Sequence, residues 1–466
     1  MSRAGETVLM DAPMGLPVMR VIVAGAGRVG MAAATVASRS GSVLILENNA
    51  ARADFAQGTQ GVSVLRNDAS NPKALGAAMD RFHPEAVVSA VDSDGINMFI
   101  CSMVKHFDPA VKTIATVRNS DYLVEGGAPG VDAVIAPRQT SSDRLAKCTL
   151  TENVVAFARL HHSDLCVAIF RVDKGSKISG AYVMNLDIGD GTIIAIYRGD
   201  EIITSVYASE IHDGDRILII GTEETIDAFN ETVGVDRRVR NIIVVGAGPL
   251  GISTATEILK STARHVVKVI DSDLGRCNLA ARAVKGAVVV NGQTSDPVFL
   301  RSENVDRADA VVAVSESEEE NLLVCMNAVR FGVKKVIAQY TSEEYGDLLR
   351  YSGIECVVGY HNVITNETSF NLIGLQSLGD SSYVFDRPGE CLVEFTVDDS
   401  MPFFNQPVGD VYFPEGIRLV AIIRDGSPIF PDILDRMQAG DRLMFYTAKY
   451  NPVAFARVIG RPFTGI

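Results

Sequence analysis

Gly25-Ala26-Gly27-Arg28-Val29-Gly30 stands between a β-branched run and a stretch of helical periodicity, the setting in which a G-x-G-x-x-G turn can do chemistry. The first glycine permits the tight turn, the second lets backbone approach a pyrophosphate, and the third lets helix pack closely on strand. Phosphate oxygens would then face free N–H groups at the positive end of a helix. Glu47 closes the next strand, 17 residues past Gly30, where a carboxylate can accept two ribose hydroxyls. Asn48 follows it, rather than an arginine placed for a 2′-phosphate, so NADP is disfavoured.

The pattern occurs a second time. Gly246-Ala247-Gly248-Pro249-Leu250-Gly251 also follows an apolar run, and Asp271 with Ser272 ends the next one. Pro249 removes one N–H donor from this loop. The third strands should close on Asn67-Asp68-Ala69-Ser70 and on Gly292-Gln293-Thr294-Ser295-Asp296. Such ends border the crevice where ligands gather outside the carboxyl ends of a parallel sheet. Asp68 offers a bond to an adenine amino group, and Gln293 is a different chemical offer. The fourth strands should end in Val91-Asp92-Ser93-Asp94 and Ser315-Glu316-Ser317-Glu318. There the acidic residues also suit the start of a helix, whose dipole they stabilise.

Turnover would need more than this. A dehydrogenase places a general acid or base, usually His, Lys or Tyr, beside the nicotinamide. The seven histidines include His161-His162 and His361, and none falls in a catalytic motif; G-x-S-x-G, H-E-x-x-H and a Walker lysine are missing. An NAD-dependent oxidoreductase with tandem dinucleotide folds is the alternative reading. Ligand sensing without an enzymatic reaction is the preferred one.

These residues have to be positioned by repeated elements. Gly25 and Gly246 lie 221 positions apart, while Arg198 and Arg424, like Gly214-Asp215-Arg216 and Gly440-Asp441-Arg442, lie 226 apart. Landmarks in one order at nearly one offset mean that a unit of about 220 residues is duplicated. The first part of each copy alternates short apolar runs with helical segments: VIVAG, VLILE, VSVLR, AVVSAV and TIATV, then IIVVG, VVKVID, AVVVN, AVVAV and KVIAQY. Near-continuous apolar strands separated by helices predict a parallel sheet covered on both faces, wound in the Rossmann manner. The second part has short strands between Gly/Asp turns, CVAIFRV, TIIAIYR, DEIITSV and DRILIIG, echoed by CLVEFTV, RLVAIIR, SPIFP and DRLMFYT. This predicts a small mixed sheet. The fold class is therefore α/β: two tandem units, each a Rossmann-like doubly wound sheet followed by a small α+β lobe. Thr140–His161 reads as one helix leaving the first sheet, either a packed connector or a hinge.

The 466 residues carry 43 Lys and Arg against 57 Asp and Glu, a net charge of −14. Wrapping nucleic acid relies on clustered cations and is not expected. The seven cysteines are scattered without a C-x-x-C, which excludes a zinc ribbon and a disulfide framework and predicts reduced, buried thiols. No apolar run reaches the ~18–20 residues that cross a bilayer. The first 18 residues hold Glu6 and Asp11 without a long apolar stretch, so no secretory leader is expected.

The order VIVAGAGRVG, VLILEN, NDAS, VDSDGIN, VIAP, then SKISGAYVMNLDI, IAIYRGDEIITS and HDGDRILIIG resembles a regulator-of-K⁺-conductance (RCK) unit. Two such units in tandem are similar to the TrkA family of regulatory subunits of Trk potassium uptake systems. The likeness implies RCK lobes at 19–139 and 163–236, and again at 237–362 and 389–466. Connecting helices would run over 140–162 and 363–388, after an extension at 1–18. It further implies NAD(H), or ATP/ADP, held in the larger lobes. The self-association expected is a ring, dimer or tetramer, beneath a membrane K⁺-translocating subunit of the TrkH type, at the cytoplasmic face of the cell membrane. The residues it assigns to ligand are Gly25, Ala26, Gly27, Arg28, Val29, Gly30, Glu47, Asn48, Asp68, Ala69 and Val91, with Arg118 facing phosphates. In the second copy they are Gly246, Gly248, Pro249, Leu250, Gly251, Asp271 and Ser272. No catalytic residue and no metal is implied.

Overall fold

Apolar runs too short for helices become the strands of the first sheet. The computed structural model describes residues 19–39, 41–119, 122, 129–160, 164–234, 239–261, 263–372, 380–387, 389–414 and 416–458. The N-terminal extension and His161-His162 lie outside them. The chain separates into two compact units. One holds the residues up to Pro137 together with Ile364–Ser382, and the other holds Arg138–Val363 and Tyr383 onward.

In the first unit the strands are β1 (Met19–Ala24), β2 (Gly41–Leu46), β3 (Val62–Leu65), β4 (Ala86–Ser89), β5 (Lys112–Thr116) and β6 (Ala133–Ile135). Between them run α1 (Arg28–Ser38), α2 (Ala50–Gln57), α3 (Pro72–Phe82) and α4 (Asp94–Phe107). The sheet order is β3-β2-β1-β4-β5-β6, and every pairing is parallel. The order reverses between β1 and β4, which opens a crevice at the carboxyl ends of those strands. Both faces are apolar. Val21, Val23 and Ile45 pack against α1 on one side, while Ile22, Ala24 and Val87 pack against α3 and α4 on the other.

The second unit begins with α5 (Pro137–Leu150) and the first small lobe: β7 (Val154–Arg159), β8 (Leu165–Arg171), β9 (Gly191–Arg198), β10 (Glu201–Ile203), β11 (Arg216–Thr222) and α6 (Glu223–Val233). The expectation of one helix over Thr140–His161 is corrected here, because VVAFAR is a strand paired antiparallel with β8. Its apolar positions fit either period, and tertiary partners decide. The half-buried Lys335 ammonium gathers the carbonyls of Thr151, Glu152 and Val154, and Asn230 holds both nitrogens of Asn153. The expected mixed sheet is also corrected, since its pairings are antiparallel.

The second large sheet repeats the first. It comprises β12 (Asn241–Val245), α7 (Pro249–Lys260), β13 (Val266–Asp271), α8 (Leu274–Ala283), β14 (Val288–Asn291), α9 (Pro297–Ser302), β15 (Ala310–Ala313), α10 (Glu318–Arg330), β16 (Lys335–Tyr340), α11 (Glu343–Tyr351) and β17 (Cys356–Gly359). Its order is β14-β13-β12-β15-β16-β17. After α12 (Tyr360–Leu372) comes the second small lobe: β18 (Asp380–Val384), β19 (Cys391–Thr396), β20 (Ile417–Arg424), β21 (Ser427–Ile429), β22 (Arg442–Thr447) and α13 (Pro452–Val458). The expected helix over 363–388 therefore gives way to a strand from Asp380.

The Arg and Asp landmarks of the small lobes turn out to be each other's partners. Arg198 grips Asp215 through Nε and Nη2 at 2.9 and 2.7 Å, and Arg424 grips Asp441 through the same atoms at 2.8 and 2.8 Å. Both carboxylates are buried. A bidentate guanidinium–carboxylate pair of this kind fixes geometry as well as charge, so the repeated motif is the brace of each lobe. All seven cysteines are buried and unbridged, as the composition predicted.

Candidate nucleotide-binding site

The turn after β1 is shaped by three glycines with three different jobs. Gly25 sits at φ +98°, and a Cβ there would lie 2.8 Å from the Ala90 oxygen. A Cβ on Gly30 would lie 1.9 Å from the Gly25 oxygen, so α1 reaches the loop only because that atom is missing. Gly27 meets nothing within 4 Å. It precedes α1 without a side-chain cap, which leaves the helix N-terminus open for an external anion.

These elements border a cavity of about 290 Å³ at the carboxyl ends of β1–β4. Of the expected residues it brings together Gly25, Gly27, Glu47, Asn48, Asp68, Ala69 and Val91. Ala26 is buried in the loop, Val29 packs against the core, and Gly30 lies beneath them. Arg28 is exposed as the first residue of α1. Glu47 differs from expectation. It is 5% exposed, and its two oxygens accept the amides of Ala26 at 2.6 Å and Asn49 at 2.7 Å. It clamps the glycine loop to β2, and only its remaining lone pairs face the cavity. Asp68 likewise accepts from the amide and hydroxyl of Ser70, while remaining exposed at the rim.

Arg118 does not face the loop. Its guanidinium bonds Asp92 at 2.6 Å, and Asp92 also takes Arg52 at 3.3 Å. The Arg118 and Arg52 guanidinia hold the Asp92 carboxyl below the usual carboxylate range. Asp94 accepts the amides of Arg118 and Asn119 at 3.0 and 2.9 Å. Ser93 caps α4, and the buried Asn97 ties β4 to β5 through Val91 and Thr116. Arg52 lines the cavity yet was not singled out from the sequence. One signal could have found it: it lies five residues past Glu47, as Arg276 lies five past Asp271.

The second cleft has the same frame and a different charge. Gly246 sits at φ +113°, and a Cβ on Gly251 would lie 1.8 Å from the Gly246 oxygen. Gly248 precedes α7, which opens on Pro249. Leu250 packs against the core, and Ser272 gives its carbonyl to Asn291. Asp271 is buried and accepts the amides of Ala247 and Asp273 at 2.7 and 2.8 Å. Arg276 reaches Asp271 at 3.2 Å and Glu316 at 3.4 Å. The place of Asp94 is taken by Glu318, which accepts the amides of Thr341 and Ser342, so Thr341 stands where Arg118 does in the first copy. The Glu316 carboxylate comes within 3.8 Å of where a Cβ on Gly248 would be. Gln293 bonds its own loop at Ser295, and Thr294 bonds Glu320. Arg52 lines the first cleft and Arg118 shares its partner Asp92, whereas at the corresponding place in the second cleft Arg276 is shared by two carboxylates.

A larger cavity of about 370 Å³ lies elsewhere in the second unit, lined by Glu152, Arg171, Asp309 and Lys335 among others. It sits at the amino ends of β15 and β16, away from the glycine loop. Several of its charges have partners: Asp309 accepts two amides, Arg171 holds Asp173 and Glu355, and Lys335 holds three carbonyls. Among the described residues no cluster of His, Cys, Asp and Glu has the form of a metal site, and no helix is long and apolar enough to cross a membrane.

The family model described as TrkA-N domain matches residues 21–137 and again 242–359, and TrkA-C domain matches 392–450. The Trk system potassium uptake protein TrkA homolog 1 of Methanosarcina mazei is 25% identical over 442 residues, covering 92% of this chain and 97% of that protein. The Trk system potassium uptake protein TrkA of Haemophilus influenzae is 24% identical over 450 residues, covering 92% and 95%. The fold matches the crystal structure of the GsuK RCK domain with a TM-score of 0.63 at 18% identity, covering 98% of each chain. It also matches the GsuK channel bound to NAD, with a TM-score of 0.60 at 16% identity, covering 97% of this chain and 80% of that one.

Proposed function

Because this chain belongs to the TrkA family, we propose that it is the nucleotide-sensing regulatory subunit of a Trk-type potassium uptake system. It binds NAD(H) or ATP/ADP in the first cleft and gates a membrane K⁺-translocating subunit of the TrkH type. It works as a ring, a dimer or tetramer, at the cytoplasmic face of the membrane and catalyses no reaction. The relative names support potassium uptake, and the NAD-bound neighbour is consistent with a dinucleotide in this fold.

The observation that carries the ligand assignment is the charge around the two glycine loops. Pyrophosphate is an anion, and two arginines, Arg52 and Arg118, meet on one carboxylate beside the first cleft, where in the second Arg276 is paired with two. A hydrogen bond to a charged group contributes about 1.5–3 kcal/mol. The lack of even one such contact makes the second site, built on Gly246, Gly248, Leu250, Gly251 and Asp271, weaker by about tenfold or more. Glu47 holds the loop, Asp68 and Ala69 border the adenine, and the open α1 N-terminus receives phosphate. Gating then needs only that ligand prefer one conformation of the ring.

Calorimetry of the purified chain with NADH, ATP and ADP tests this. A strong and a weak class of site are expected, with the strong class lost in Glu47→Ala and kept in Asp271→Ala. Silence with all three nucleotides would sink the sensing reading.

A further inference from the structure

We infer that Asp92 is a built-in competitor for the phosphates of the ligand, parking Arg52 and Arg118 until a polyphosphate chain draws them away. This rests on the assignment of nucleotide to the first cleft. Three residues from three elements converge. Arg52 comes from the first turn of α2, Asp92 from the end of β4, and Arg118 from the end of β5. Asp92 and Arg52 both line the cavity together with Gly25 and Gly27, so their ion pair forms part of its wall. The side chains of Arg52, Asp92 and Arg118 are 50%, 68% and 53% exposed. Ion pairs in that setting are weak and readily exchanged. One carboxylate of single charge holds two guanidinia, and a chain of phosphates offers each a better partner in bidentate geometry.

The second repeat supplies an independent observation. Arg276 Nη1 reaches Glu316 at 3.4 Å, the same bond between the same positions as Arg52 Nη1 with Asp92 at 3.3 Å. The bridge is thus part of the architecture in both copies. Among the described residues only the first copy adds a second arginine, Arg118, to this acid, and there the β2-end carboxylate Glu47 takes backbone amides in place of the arginine. In the second copy Arg276 is also held by Asp271.

The consequence is a charge-counting device. A single phosphate is satisfied by the loop amides and the α1 N-terminus, leaving the arginines on Asp92. Further phosphates compete with Asp92 for them. Removing the acid therefore strengthens binding, in proportion to phosphate number.

The test is calorimetric titration of the full chain with AMP, ADP and ATP in magnesium-free buffer, for the native protein, Asp92→Asn, Arg118→Ala and the double variant. Asp92→Asn is expected to tighten ATP by about three- to tenfold, ADP by less, and AMP not at all. Arg118→Ala weakens ATP, and in the double variant the gain from Asp92→Asn shrinks. Unchanged melting temperatures confirm that these exposed substitutions leave the fold intact. Equal tightening of AMP and ATP, or weaker ATP binding in Asp92→Asn, overturns the proposal while leaving nucleotide sensing in place. No binding of any nucleotide by either the native protein or Asp92→Asn overturns both.

Discussion

Replacing Asp441 by alanine should loosen the second small lobe alone. The carboxylate is 2% exposed and accepts Arg424 Nε and Nη2 at 2.8 Å each, plus the Gln438 amide at 2.7 Å. Breaking a fully buried pair costs about 3–5 kcal/mol, because an unpaired charge is left behind. Here Arg424 is 31% exposed, so water can take up its guanidinium, and the expected loss falls to about 2–3 kcal/mol. At 1.4 kcal/mol per tenfold this is about a 30- to 150-fold drop in hydrogen-exchange protection. The drop should be confined to the amides of β20 and β22, which flank the pair. Mass spectrometry of exchange in the whole chain reads it, and avoids assigning one unfolding energy to a multidomain protein. Asp215→Ala is the internal replicate, with the same three bonds in the first lobe, and should lower protection of β9 and β11 equally. The effect also has a pH signature. Burial pushes the Asp441 carboxyl up, but Arg424 and the Gln438 amide outweigh it and hold it below 3.8. Its contribution is therefore complete above pH 3.8 and is lost as pH falls through the lowered value. A loss of protection under fivefold, or one spread evenly over both lobes, would refute the reading of this pair as a brace.

Three further substitutions test other parts of the structure. Gly27→Ala has space for its methyl and a φ of −72°, so it should leave the melting temperature unchanged and weaken nucleotide binding measured by calorimetry. Gly30→Ala drives a methyl into the Gly25 oxygen and should lower the melting temperature as well, by the cost of an overpacked contact, about 1–3 kcal/mol. Glu390, 1% exposed, accepts the hydroxyls of Tyr197 and Tyr446. Burial raises its pKa above 4.5 against the pull of those hydroxyls and Arg387. The native state then binds the extra proton, so stability falls as pH climbs from 4.5 through the raised value. Glu390→Gln should flatten that decline in a series of thermal melts from pH 4.5 to 8.

Much of this molecule was readable along the chain. The glycine turns, the strands around them and the duplication depend on neighbours within a few residues, and each became the expected element. VVAFAR misled because its apolar positions fit a helix or a strand, and Lys335, 181 residues away from Val154, decided between them. Glu47 was read as a ligand group, yet the Ala26 and Asn49 amides claim its oxygens. A residue's spacing reveals which end of a strand it occupies, not what has already reached it.

The sequence by itself determined two dinucleotide-type sheets, two small lobes and two glycine loops, because φ preferences, side-chain volume and periodicity are local. Only the tertiary structure decided how the charges of the two clefts differ. Arg52, Asp92 and Arg118 lie 40 and 26 residues apart and meet through parallel crossovers, while in the second copy the one arginine is drawn down onto Asp271. Charge acts through space, and the fold sets that space.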